Sequence, residues 1–160
     1  MNRAPEHYAQ LIGELGLAWT LIQEQLAKNR KMSSRIEKGN PDEFDWASLG
    51  YTLHNLYNAV ENYFLRIAKF FENRLEPISW HKDLVDRMAI SVESLRPALL
   101  PGELRREVHE LRSFRHIFRN IYDTELDPDR IQKMNTRVPR MIEGLRRAHE
   151  DFIRKLKEIK

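Results

Sequence analysis

The 160-residue sequence contains no cysteine. Disulfides and zinc–thiolate centres are thereby excluded, a composition that fits a reducing cytosol. Its 6 glycines are dispersed, so there is no Gly-rich phosphate loop and no Gly-x-Ser-x-Gly elbow. A His-Glu-x-x-His zinc motif is also missing. The 6 histidines (His7, His54, His81, His109, His116, His149) are scattered, and no two stand three or four residues apart on a helix. No metal site and no cofactor are therefore expected. No apolar run approaches the ~18 residues that cross a bilayer. The segment Met1–Glu6 lacks the apolar core of a signal peptide, so the expectation is a cytoplasmic protein that does not enter a membrane.

What is present is helical. Hydrophobic residues make up 41% and charged residues 32%, and the length suits a single domain over residues 1–160 with a sizeable core. From Pro5, apolar residues recur at Tyr8, Leu11, Ile12, Leu15, Ala18, Trp19, Ile22 and Leu26, which predicts a helix that frays through Lys28–Lys31. Gly39-Asn40-Pro41 breaks the pattern. A second, longer helix follows from Asp42 or Asp45, and its stripe of Tyr57, Tyr63, Phe64, Phe70 and Phe71 reads as core with a surplus that suits a dimer interface. Ser79 is placed to cap a short third helix over Leu84, Val85 and Met88. The fourth helix runs from Glu103 to Tyr122 or Asp123. Asp127-Pro128 then signals the start of the last, in which Pro139 removes one internal hydrogen bond and predicts a kink. The fold class is all-α: an antiparallel bundle of four major helices and one short one.

The formal charge of +3 is unevenly placed: residues 1–100 balance at −1 and residues 101–160 at +4. The excess coincides with the fourth helix. At about 100° per residue, Leu104, Leu111, Phe114, Ile117, Phe118 and Ile121 share a core-facing arc. Arg112, Arg115, His116, Arg119 and Asn120 share the opposite one, with their charged groups expected in solvent, and Tyr122 stands at the seam. Such a face is either an ordinary solvated surface or a phosphate site, because Arg112, Arg115 and Arg119 at spacings of three and four can converge on one anion. RNA cleavage without a metal needs charge at the phosphorus and proton transfer at two oxygens, roles that arginine and histidine suit. One helix offers few such groups; a two-fold dimer would bring two sets into one cleft.

Arg115-His116-x-x-Arg119-Asn120-x-Tyr122, followed by Glu125-Leu126-Asp127, resembles the Arg-x4-His-x-Tyr signature of HEPN-domain toxins, and in particular their HepT-like branch. Leu53-His54-x-x-Tyr57-x-x-x-Glu61-x-x-Phe64, Trp80-His81-Lys82-Asp83-Leu84 and Leu95-Arg96-Pro97 extend the resemblance over about residues 44 to 155. It implies a dimeric, metal-independent endoribonuclease toxin acting on RNA and paired with a MntA-type nucleotidyltransferase antitoxin. In that scheme Arg115, His116 and Asn120 are catalytic, Arg112 and Arg119 bind phosphate, and Tyr122 receives AMP. The sequence departs from the signature at Asn120, where the family usually has histidine and where an amide exchanges no proton. The alternative the resemblance leaves open is a catalytically degenerate helical module that binds the nucleotidyltransferase without cleaving RNA.

Overall fold

A computed structural model describes residues 3–72, 80–120 and 125–159. It contains α1 (Pro5–Lys38), α2 (Glu43–Phe71), α3 (Trp80–Met88), α4 (Gly102–Arg119) and α5 (Pro128–Glu158), with no named strand among the described residues. All five helices contribute to one cluster of buried apolar side chains, in which Leu15, Tyr57, Val85, Leu111 and Phe152 are wholly enclosed. None of the helices is long and apolar enough to cross a membrane.

The helix starts follow from local chemistry. Asp42 accepts from the Asp45 backbone N–H while Asp45 accepts from that of Asp42, a reciprocal cap on α2. Asp127 accepts from the backbone of Asp129 and Arg130, with Pro128 at the first helical position of α5. Pro77 and Ser79 lie outside the described residues. Between α3 and α4 the buried Arg96 ties three elements: its Nη2 donates to Glu72 at the end of α2 (2.6 Å) and to the Arg87 carbonyl in α3 (2.9 Å).

The expected fraying of α1 at Lys28–Lys31 does not occur; the helix continues to Lys38. Its buried stripe runs on in polar residues, Asn29 and Ser33, before Ile36. Asn29 Nδ2 donates to Thr52 Oγ1 of α2 (3.0 Å) and to Asn135 Oδ1 of α5 (2.9 Å), and Asn135 Nδ2 donates to Ser33 Oγ (3.0 Å). Arg30 closes the network, its Nε donating to Asn29 Oδ1 (2.9 Å). Pro139 cannot donate to the carbonyl four residues back, and that carbonyl, Asn135 O, instead lies 3.5 Å from the donor Arg30 Nη2. α5 runs unbroken past the proline.

The aromatic stripe of α2 is largely taken up within the chain. Tyr57, Tyr63 and Phe64 are buried, and Phe70 meets Tyr8 of α1 edge-on at 5.3 Å. α2 meets α4 closely at Gly50, where an added Cβ would stand 2.5 Å from the Phe118 ring. The α4 core stripe is Leu104, Val108, Leu111, Phe114 and then Phe118, which stacks on Phe114 at 5.8 Å. Ile117, expected in the core, is instead 39% exposed. The stripe passes to Phe118 at a spacing of four, and position 117 falls on its outer side.

Candidate functional site

The segment 111–120 of α4 contains three arginines and no carboxylate. None of Arg112, Arg115 and Arg119 forms an ion pair with a described residue. On α5, by contrast, Arg146 pairs with Glu143 and Glu150, and Arg154 with Asp151 and Glu158. The segment therefore concentrates positive charge that no ion pair offsets among the described residues.

The three arginines are held differently. Arg112 Nε donates to His109 Nδ1 (3.2 Å), so the imidazole proton sits on Nε2, which donates to Asp86 Oδ1 of α3 (2.7 Å). Arg105 Nε donates to the same oxygen (2.8 Å). Partial burial works to raise the Asp86 pKa, but the bonds from His109 and Arg105 prevail and hold it below its ordinary value. Arg115 was expected to be exposed and clear of the core. It is instead half-buried, with its Cζ 5.5 Å from the Tyr57 ring centroid and its Nε enclosed without a partner. The α4 axis lies close to α2, so this flank of the polar face is covered. Arg119 is exposed.

His116 is exposed, and its imidazole makes no hydrogen bond among the described residues. Asn120 is the C-cap of α4, and its Nδ2 donates to the His116 carbonyl (2.8 Å). Its amide donor thus holds the helix end, while Oδ1 makes no hydrogen bond among the described residues. Tyr122 and Ile121 lie outside the described residues.

What the reading of α4 alone did not assemble is the α2 side of the site. His54 and Tyr57 both face the arginine cluster. Burial lowers the His54 pKa below its usual value; the bond with Asn55 opposes this, and the charges of Arg115 and Arg119 add to the depression. Burial, then the neighbouring Glu61, pushes the Tyr57 phenol well up, with Arg112 and Arg115 acting against them. The Tyr57 hydroxyl is buried with no partner at hydrogen-bond geometry. The buried Glu61 is anchored by His81 of α3, Nδ1 to Oε2 at 2.7 Å. A signal existed in the sequence: His54, Tyr57 and Glu61 recur at helical spacing as polar members of an otherwise apolar stripe. Among the described residues no three His, Asp or Glu side chains gather as a metal-ligand set.

These features define a class of protein: an all-α bundle whose fourth helix presents an arginine cluster without carboxylates against a His/Tyr/Glu stripe on the second. The chain belongs to the HepT-like protein family, a branch of the HEPN helical domains, whose family model matches residues 48–156. The match begins inside α2 and reaches into the last turn of α5, so α1 stands outside it. No curated protein and no solved structure matches the chain.

The lowered histidines make stability pH-dependent. His149, whose Nδ1 lies 2.6 Å from Tyr63 Oη and whose ring stacks on Trp19 at 5.1 Å, is also depressed by burial, with Glu150 opposing. Above the ordinary histidine pKa of about 6.5 both are neutral folded or unfolded. As pH falls from there through the folded values, the unfolded chain binds protons first and stability is lost. The melting temperature is expected to fall between pH 7.5 and pH 5, and the drop should shrink in His149→Phe. A melting temperature that rises towards pH 5 would contradict the placement of both rings. A bound phosphate beside Arg115 and Arg119 should raise the His54 pKa, measurable by NMR titration.

Proposed function

We propose that this chain is the toxin of a two-gene toxin–antitoxin module, a metal-independent endoribonuclease that cleaves RNA in the cleft of a homodimer. The observation that carries this reading is the arginine cluster of α4, free of carboxylates and faced by an imidazole of α2. Arg115 and Arg119 would hold the scissile phosphate and offset the charge that builds on it, with Arg112 extending the grip. The ribose 2′-oxygen attacks the adjacent phosphorus and yields its proton to an imidazole. The bond from phosphorus to the 5′-oxygen breaks as that oxygen takes a proton. The products are a 2′,3′-cyclic phosphate and a 5′-hydroxyl. His116 is the proton carrier on α4, His54 the second imidazole at the cluster, and Asn120 Oδ1 is free to accept from a ribose hydroxyl.

Two copies of α4 across a two-fold axis would bring two sets of phosphate-binding and proton-transfer groups into one cleft. The partner is a MntA-type nucleotidyltransferase. The Tyr122 hydroxyl would attack the α-phosphorus of ATP, release pyrophosphate and retain AMP. That phosphodiester would then compete with RNA for Arg115 and Arg119.

The test is expression of the chain alone and with the transferase. Growth arrest is expected alone, with RNA cut in the presence of EDTA to cyclic-phosphate ends by a dimer of 19.1 kDa protomers. Cleavage lost to chelator and restored by magnesium would refute the site as drawn. Co-expression should add AMP to Tyr122 by intact mass, with no addition in Tyr122→Phe; AMP on another residue would sink the control mechanism. A second reading, a non-cleaving module that docks the transferase, is favoured by Asn120, whose amide is engaged on the His116 carbonyl where the family signature has a histidine. Stable binding to the transferase with neither growth arrest nor cleavage would select it.

A further inference from the structure

A groove of about 910 Å³ lies between α1 and α2. Its α1 wall lies outside the family match, which begins within α2. The cationic side chains lining it are Arg3, Lys28, Arg66 and Lys69, set against the single carboxylate of Glu14, which already pairs with Arg66 at 3.5 Å. Lys28 and Lys69 are exposed and carry no ion pair with a described residue. The groove therefore holds uncompensated positive charge.

Its α2 wall is a row of amides, Asn55, Asn58 and Asn62, at spacings of three and four. An amide presents donors and an acceptor together, the combination that reads unpaired base edges. The floor is apolar, with Leu11 and Ala18 buried and Leu21 49% exposed. Phe70 closes one end, with the Arg3 guanidinium 4.3 Å from its ring centroid. Basic walls, an amide row and an apolar floor together suit a single nucleic-acid strand.

The groove also leads to the arginine cluster. His54 Nδ1 lies 3.5 Å from Asn55 Oδ1 and 3.4 Å from Asn58 Nδ2, while the same imidazole feels the charges of Arg115 and Arg119. From Asn55 to Lys69 the wall extends about 20 Å along α2 at the helical rise.

We infer that the α1–α2 groove is a binding site for the single-stranded RNA that flanks the scissile phosphate. The inference rests on the endoribonuclease reading for its continuity with the arginine cluster. Charge complementarity selects the occupant: the groove offers cations and amides to a phosphate chain and its bases.

The test measures binding of a fluorescein-labelled 12-nucleotide 2′-O-methyl oligouridine, which lacks the attacking hydroxyl, to the full chain. Lys28→Glu with Lys69→Glu should weaken binding at least about tenfold and flatten its salt dependence by roughly 1.4 in log–log slope, as two lost phosphate contacts to a single strand require. Arg130→Glu with Lys133→Glu, which puts the same charge change in the smaller α4–α5 groove, should alter affinity by less than about twofold on the same grounds. Should the first double variant melt early, Lys28→Gln with Lys69→Gln replaces it, with about a threefold loss expected. Undiminished binding in the Lys28/Lys69 variants overturns the inference, as does a greater loss in the Arg130/Lys133 variant. Dissociation of a dimer by the Lys28/Lys69 change, with RNA affinity retained, also overturns it and makes the groove an interface between copies. Because the probe cannot be cut, the outcomes separate. A chain that cleaves nothing yet needs Lys28 and Lys69 for binding keeps the groove and loses the nuclease. A chain that cleaves while binding ignores them loses only the groove.

Discussion

Arg115→Ala is expected to lower RNA cleavage by about 100- to 1,000-fold, the usual loss when one charge-stabilising group is removed from a phosphoryl or acyl transition state. Its environment is fixed by the Tyr57 ring beside its guanidinium and by an enclosed Nε. Fixed donors act without reorganising as charge develops, so the half-buried Arg115 should matter more than the exposed Arg119. The same burial means that truncation is not silent for the fold, and a loss of about 1 kcal/mol is expected from the vacated contact with Tyr57. Arg115→Lys discriminates the two effects. It keeps charge and stem, so stability should return, while the loss of the two-pronged guanidinium should leave cleavage well below the parent. Single-turnover cleavage with circular-dichroism melts on all three proteins checks this. Parental cleavage in Arg115→Ala would remove the phosphate role from α4.

Asn135→Ala is expected to cost about 2–4 kcal/mol, the range for stranding buried polar partners. Asn135 is 2% exposed and uses both ends of its amide towards α1, accepting from Asn29 and donating to Ser33. Removing it leaves Asn29 with one bond fewer, at a position where water does not reach, and deprives Ser33 of its donor. Against a typical total of about 5–15 kcal/mol, this is a large share. The loss should fall first on α1, whose last three turns are held to the bundle by this network together with Met32, Ile36 and the Arg35–Asp45 ion pair. Urea unfolding with a midpoint shift at unchanged slope is the measure. A cost below about 1 kcal/mol would mean that the amide network contributes little beyond apolar packing. Arg30→Met should cost less, because Asn29 and Asn135 retain each other.

Local chemistry in the sequence determined much of this molecule. Asp42, Asp127 and Pro128 set helix starts through bonds to neighbours within three residues, and Gly39-Asn40-Pro41 ends α1 for equally local reasons. The apolar period located the buried faces of α2 and α5. The arginine cluster was legible because residues three and four apart must share a helix face, and the family signature lay on that same short stretch. What the tertiary structure alone decided depends on partners far along the chain. α1 passes beyond Lys31 because Asn135, more than a hundred residues away, satisfies Asn29. Arg115 is half-buried and Ile117 exposed because Gly50 lets Phe118 of α4 come close to α2, turning one flank of the polar face inward. His54 belongs to the site because α2 places it beside Arg115 and Arg119. Spacing along one helix records which side chains share a face; only the packing of helices determines which of those faces meet and which groups are drawn out of water.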